Sequence, residues 1–396
     1  MSAQNLYVDD SVFERSPWYA QGGVWGAVAV VAVTCVVLVA TVRSCRGKGG
    51  AAKEEAPVAT NGVEQTGQDV EAPVPKLPPS PIDGTRFPTG VDIANAPLSA
   101  FMATNPNEPR TAVWGSWRTG SDGLPKFHGG VDIAPLSKDR SGKPKDEVMA
   151  VAEGKAVYVN RVGDSSYGLH VILEHADPVG PVYTLYGHLA SITPSLTVGD
   201  RVEAGSVLGI MGNTSVDKIA AAKAHLHFEI ALMHTTRFAA WYRDRKLVPD
   251  RGNFHGWNLC SIDPRDYYGF MGAYPEANFE AYLQQQPVAF DIVVLPKEGQ
   301  RLNYFTRYPS LWKGPPGYTG AVVLSVMSSG VILSGRPANA TELEQLVRNK
   351  RQPTVLNVEE YLLERDGLRL VTQSNRTWSP GKGDPAKRWL ELLAYE

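Results

Sequence analysis

Between Thr111 and about Pro264, apolar and polar positions alternate in short runs broken by Gly, Asp, Asn and Pro. With their β-branched content, these runs predict strands at Val148 to Val159, Leu169 to Glu174, Val182 to Leu189, Val207 to Met211 and His225 to Leu232. The expected result is an antiparallel, mainly β domain over 85–268. Within it, the string from Val198 to Gly209 reads as a turn and hairpin. Beyond Phe270 the pattern changes. Phe290 to Leu295 and Ala321 to Leu333 read as strands, Thr341 with Glu344 as a capping box opening a helix to about Lys350, Asn357 with Glu360 as the start of a second, and Pro385 to Leu393 as a terminal helix. A small α+β module over 270–396 follows, with no histidine and no activity to assign.

Upstream, 47–84 is rich in Gly, Ala, Pro, Glu and Gln and poor in large apolar residues, the composition of a disordered linker. No charge occurs from Ser16 to Val42, and Gly23 to Val42 is dominated by Val and Ala, long enough to cross a bilayer core of about 30 Å. The tail 1–22 carries Asp9, Asp10 and Glu14 against Arg15, unlike the basic start of a cleaved signal, so 23–42 reads as an uncleaved transmembrane helix with Trp18 and Tyr19 at the interface. Arg43, Arg46, Lys48 and Lys53 follow the span, and the positive-inside rule places that side in the cytoplasm.

A length of 396 residues with 43% hydrophobic content predicts two folded parts. A net charge of -2 without a basic, aromatic-interleaved run points to no nucleic-acid partner. Cys35, Cys45 and Cys260 form neither a disulfide framework nor a zinc-finger pattern, and Cys45 pairs with Cys260 only if the fold joins them.

Two distant strings carry candidate chemistry. In His225-Leu-His227-Phe-Glu the alternation places both imidazoles on one face of a strand while Leu226 and Phe228 enter the core. His128-Gly-Gly-Val-Asp132 sets a carboxylate four residues beyond a histidine, across glycines that let the backbone bend toward one ion. Catalytic zinc takes three ligands of these types and keeps an open position. His170, His175, His234 and His255 read as isolated, locally satisfied side chains, and Trp114, Trp117 and Tyr167 as core or groove wall.

Taken in order, Phe127 to Ala134, Leu185-Tyr-Gly-His188-Leu, Val198-Gly-Asp-Arg-Val with Gly205 and Gly209, and His225 to Glu229 resemble the lysostaphin-type (LytM-like) zinc endopeptidases over about 111–264. The resemblance implies a β-sandwich peptidase domain, one zinc ion (Zn2+) held by His128, Asp132 and His227, and His188 and His225 as catalytic histidines. It also implies peptidoglycan peptide as substrate, and so a single-pass membrane protein with its peptidase on the extracytoplasmic side, against the basic residues after the span. Arg118 matches an element at the start of such domains. Ala222-Lys-Ala224 replaces the family's Gly-Pro turn, Met233 to Cys260 exceeds its short hairpin, and the stretch with Asn95, Asn105 and Asn107 reads as a plain loop, with folding over the groove as the alternative. A second functional class is a latent or non-catalytic regulator, or a structural component of an envelope-spanning or virion machine, with 270–396 as a protein-binding part. Intact ligands argue for the enzyme. A lipoyl-like carrier would need a modifiable lysine at a hairpin tip, which is missing.

Overall fold

The computed structural model describes residues 78–92, 114–119, 125–247, 251–297, 299–365 and 368–395. Among them no helix is long and apolar enough to cross a membrane, and the expected span at 23–42 lies outside them. All belong to one compact unit, 73–396.

The strands of the first part are β1 (Trp117–Thr119), β2 (Pro125–Phe127), β3 (Val131–Ile133), β4 (Glu147–Met149), β5 (Gly154–Asn160), β6 (Leu169–Asp177), β7 (Gly180–Ile192), β8 (Arg201–Val202), β9 (Val207–Met211), β10 (Leu226–Met233) and β11 (Leu259–Ile262). Nine of them form one antiparallel sheet, ordered β11-β10-β7-β6-β5-β8, with β3 also on β10, β9 on β7 and β4 on β9. The expected run Val148 to Val159 divides into β4 and β5 because a corner intervenes, where the Ala150 N–H donates to the Ser206 carbonyl and the Gly205 N–H to the Ala150 carbonyl. The same corner overturns the expected hairpin after Val198. β8 pairs with β5, β9 pairs with β4 and β7, and the two do not pair with each other.

β10 obeys the predicted alternation. Leu226, Phe228, Ile230 and Leu232 enter the main core, while Ala231 and Met233, on the histidine face, join a second cluster with Tyr183 and Leu185. In the long stretch after Met233, helix α1 (Phe238–Asp244) packs its Phe238, Trp241 and Tyr242 with Leu392, and the loop that follows lays Phe254 against the second cluster on that face. Helices α2 (Pro264–Ala273) and α3 (Phe279–Gln285) follow, capped by Asp263 and Asn278. They bury the segment from Pro78: the Tyr267 hydroxyl donates to the Ile82 carbonyl at 2.5 Å, and Ile82 and Phe87 lie in the core. Residues 78–84, expected as the end of the linker, are instead packed onto the fold, since Ile82 supplies an apolar anchor there, and the rest of the expected linker lies outside the described residues.

The last part contains β12 (Phe290–Val294), α4 (Tyr304–Arg307), β13 (Val322–Val326), β14 (Ile332–Pro337), α5 (Ala340–Arg348), β15 (Thr354–Val358), α6 (Glu360–Arg365), β16 (Val371–Ser374), β17 (Thr377–Pro380) and α7 (Asp384–Ala394). Its sheet runs β14-β13-β12-β15. The capping box of α5 is Asn339 with Glu342, two residues before the predicted pair, because Arg336 grips the Glu342 carboxylate at 2.6 Å and fixes that turn. Asn357 lies inside β15 rather than at a cap. One buried apolar cluster runs through both expected parts, from Ile82 to Leu393. Tyr308 joins them directly: its hydroxyl accepts from the Met233 N–H and donates to the Pro181 carbonyl, each at 2.9 Å. Cys260 is a buried free thiol, pushed up to about 12 by burial, and Cys45 lies outside the described residues.

Candidate metal centre

Three strands set the site by register. On β10, His227 stands opposite Asp132 of β3 on one side and Gly187 of β7 on the other, which brings His188 alongside. β3 approaches this closely because residue 130 is glycine. A Cβ there would lie 2.5 Å from the Phe228 carbonyl oxygen and 2.9 Å from His227 Cε1. His225 immediately precedes β10, held by its N–H to the Gly212 carbonyl at 3.1 Å.

His128, Asp132 and His227 converge. His128 Nε2 lies 3.0 Å from Asp132 Oδ1 and 3.0 Å from His227 Nδ1, and His227 Nδ1 lies 3.3 Å from Asp132 Oδ1. A tetrahedral zinc with bonds of 2.0–2.1 Å separates its ligand atoms by roughly 3.3 Å, so the three atoms already stand close to the required spacing. All three residues are buried, and together they form a set able to hold a metal ion. Burial opposes the charge on Asp132, but His128 and His225 outweigh it and hold the carboxyl well below its ordinary range. Burial likewise opposes charging of His227, yet Asp132 and Glu229 carry it up to about 9. Such crowding of nitrogen and carboxylate around one point is what a bound cation would satisfy.

His188 and His225 flank this set with ring centroids 4.8 Å apart. His188 Nδ1–H donates to the Thr214 carbonyl at 2.9 Å and His225 Nδ1–H to the Lys223 carbonyl at 2.7 Å, which places a proton on Nδ1 of each ring. His225 Nε2 is buried without a hydrogen-bond partner. It lies 3.3 Å from Asp132 Oδ1, but off hydrogen-bond geometry. Burial, with His225 and His227 beside it, holds His188 well below its ordinary value and therefore neutral. Its φ of 59° is left-handed, a conformation costing a β-carbon residue on the order of 1 kcal/mol, of the kind found where a side chain must be aimed.

The five residues singled out in the sequence thus come together. The other histidines do not join them. His170 Nδ1 meets the Gly168 carbonyl, His175 sits between the Glu153 carbonyl and Thr184, His234 meets the Trp389 carbonyl, and His255 stacks on Phe238. Trp114 donates to Ser261 at 3.0 Å, and Trp117 and Arg118 lie in β1. Two further residues border the cluster. Glu229 Oε1 accepts from His227 Nε2 at 2.8 Å and from the Tyr167 hydroxyl at 2.9 Å. The signal for Glu229 was present in its phase, two residues beyond His227 on the same strand face.

Residues 126–238 match Peptidase family M23. No curated protein matches the chain. Similar solved structures include a mutant catalytic domain of the prophage-encoded M23 protein EnpA from Enterococcus faecalis, at 27% identity over 33% of this chain and 87% of that one, with a TM-score of 0.22. The catalytic domain of the antimicrobial peptidase lysostaphin from Staphylococcus simulans matches at 20% identity over 43% and 95% of the two chains, TM-score 0.26. A zinc-containing peptidase from Vibrio cholerae matches at 21% identity over 30% and 32%, TM-score 0.21. With TM-scores this small, the assignment rests on the family match. The chain therefore carries, at residues 126–238, a domain of Peptidase family M23.

Proposed function

We propose that this chain is a membrane-anchored zinc endopeptidase that hydrolyses peptide bonds of bacterial peptidoglycan. The observation that carries the reading is the convergence of His128, Asp132 and His227, spaced for one tetrahedral ion, beside two histidines each anchored to a backbone carbonyl through Nδ1. A peptide bond as the target fits the matched peptidase family, and peptidoglycan is the substrate class that the sequence resemblance implies. Zinc, when bound by those three residues, supplies a Lewis acid that polarises a carbonyl and acidifies water.

This chain's own residues do the rest. Of His188 and His225, one Nε2 takes the proton of the attacking water and returns it to the leaving amine, and the other, carrying on Nε2 a proton taken beforehand from solvent, donates a hydrogen bond to the oxyanion. The Thr214 and Lys223 carbonyls hold both rings so that neither has to turn during the reaction. The complete ligand set favours catalysis over a regulatory role. Residues 23–42 cross the membrane in this reading and place the peptidase outside it. Protease added to intact spheroplasts then removes the C-terminal unit, whereas full protection contradicts that placement.

The test of the activity is digestion of isolated sacculi by the purified chain, with mass analysis of released peptides. Wild type releases fragments bearing a new amino and a new carboxyl end, and His188→Ala releases none above background. Equal release by the two would contradict the assignment.

A further inference from the structure

We infer that Tyr167 and Glu229 are positioning residues for His227, and that the segment after β10 locks them in place under support from the C-terminal helix α7. The inference rests on the zinc reading of the site and deepens it.

His227 can face His128 and Asp132 with a lone pair on Nδ1 only if its proton is on Nε2. The group that takes that proton's hydrogen bond is Glu229 Oε1, 2.8 Å away and shut off from solvent. A carboxylate behind a metal-binding imidazole fixes both its tautomer and its ring plane. Glu229 is itself held by the Tyr167 hydroxyl at 2.9 Å, and the Tyr167 ring packs on His227 with centroids 5.3 Å apart.

Tyr167 has little room to move. A Cβ on Gly256 would lie 2.4 Å from its hydroxyl oxygen, so the loop after α1 lies directly against it. That loop and α1 are braced by α7. Arg245 and Trp241 both reach the Glu391 carboxylate, Tyr395 donates to Asp244, and the Arg388 guanidinium lies 3.9 Å over Trp257, next to Gly256. His234 Nε2 meets the Trp389 carbonyl at 2.9 Å. A continuous chain of contacts therefore leads from the last helix to the back of a metal ligand, and it gives the C-terminal part a role at the site without any group of its own in the chemistry.

The experiment is zinc affinity of the full chain in detergent, measured by competition with a chromophoric chelator, together with the visible spectrum of the cobalt-substituted protein. Tyr167→Phe, Glu229→Gln and Gly256→Ala are compared with wild type, and a thermal melt in chelator verifies that each folds. All three are expected to bind zinc about 10- to 100-fold more weakly, the usual effect of removing an outer hydrogen-bond partner, with altered cobalt bands. Glu229→Gln, which keeps an acceptor oxygen, should lose less than Glu229→Ala. Tyr167→Phe and Gly256→Ala leave every ligand atom in place, so they keep the test open even if Glu229 variants fail to fold. Affinities within about twofold of wild type for folded Tyr167→Phe and Gly256→Ala overturn the inference. A wild type that binds one zinc tightly yet cuts no peptidoglycan would instead remove the proposed activity and leave this inference standing.

Discussion

Substituting Gly130 by alanine tests the assembly of the site by strand register. Position 130 is not in the left-handed region, so the backbone accepts alanine and the effect is purely one of space. The new Cβ would meet the Phe228 carbonyl oxygen at 2.5 Å, Glu229 Cγ at 2.9 Å and His227 Cε1 at 2.9 Å. A carbon approaches a carbonyl oxygen to about 3.3 Å, so β3 has to retreat from β10 by roughly 0.8 Å. β10 cannot yield instead, since it is paired along both edges and buried throughout. Overpacking of this kind costs about 1–3 kcal/mol of stability. The retreat also carries His128 and Asp132 away from His227. A shift of about 0.8 Å is a large fraction of a 2.0–2.1 Å zinc bond, so zinc affinity should fall by about 100-fold or more. Chelator competition measures the affinity and thermal melting in chelator the stability. Wild-type zinc affinity in Gly130→Ala would refute the argument that β3 and β10 assemble the site by close approach.

Further expectations concern other parts of the molecule. His128→Ala should lose the metal, whereas His225→Ala should keep it and lose turnover by about 10²-fold or more, as metal analysis and peptide release would show. Tyr308→Phe leaves the Met233 N–H and the Pro181 carbonyl without their shared partner, so denaturant melts should show a loss of about 1–3 kcal/mol with zinc affinity unchanged. His175 and His234, both buried and outside the candidate cluster, are lowered to about 4 by burial. Unfolded histidines protonate near 6.5, so between about pH 6.5 and 4 the unfolded chain binds more protons and stability falls as pH falls, by on the order of 3 kcal/mol per residue. Melting temperatures across that interval check this, and a flat profile would contradict it.

The candidate cluster was legible in part from residue types at short spacing, while its division into metal-holding and catalytic histidines came from the family resemblance. Two histidines two residues apart on a strand must share a face, and a glycine pair beside His128 signals close backbone approach. Leu226 and Phe228 showed which face met the core. What escaped depends on contacts distant in sequence. Glu229 was in phase with His225 and His227, but nothing in the chain marked Tyr167 as its partner. Phe238, Trp241 and Tyr242 have helical spacing, a signal for α1 within a stretch that otherwise reads as a long loop. The capping box of α5 was misplaced because Asn339 and Thr341 each have a glutamate three residues on, and Arg336, outside the helix, decides between them. The hairpin after Val198 was misread because a local turn signal does not specify which strands its arms join. The junction of the two expected parts rests on Tyr308 and on His234, whose partners are far away in the chain.

The central claim is that one ion held by His128, Asp132 and His227 makes this chain hydrolyse wall peptides. Titrating zinc into the chelator-stripped full chain while following peptide release from sacculi tests it most directly. The account predicts that release rises in proportion to zinc, levels off at one equivalent, and stays at background in His128→Ala at every concentration. A stripped chain that hydrolyses at the full rate, or a chain carrying one equivalent of zinc that releases nothing from any sacculus chemotype, would contradict it.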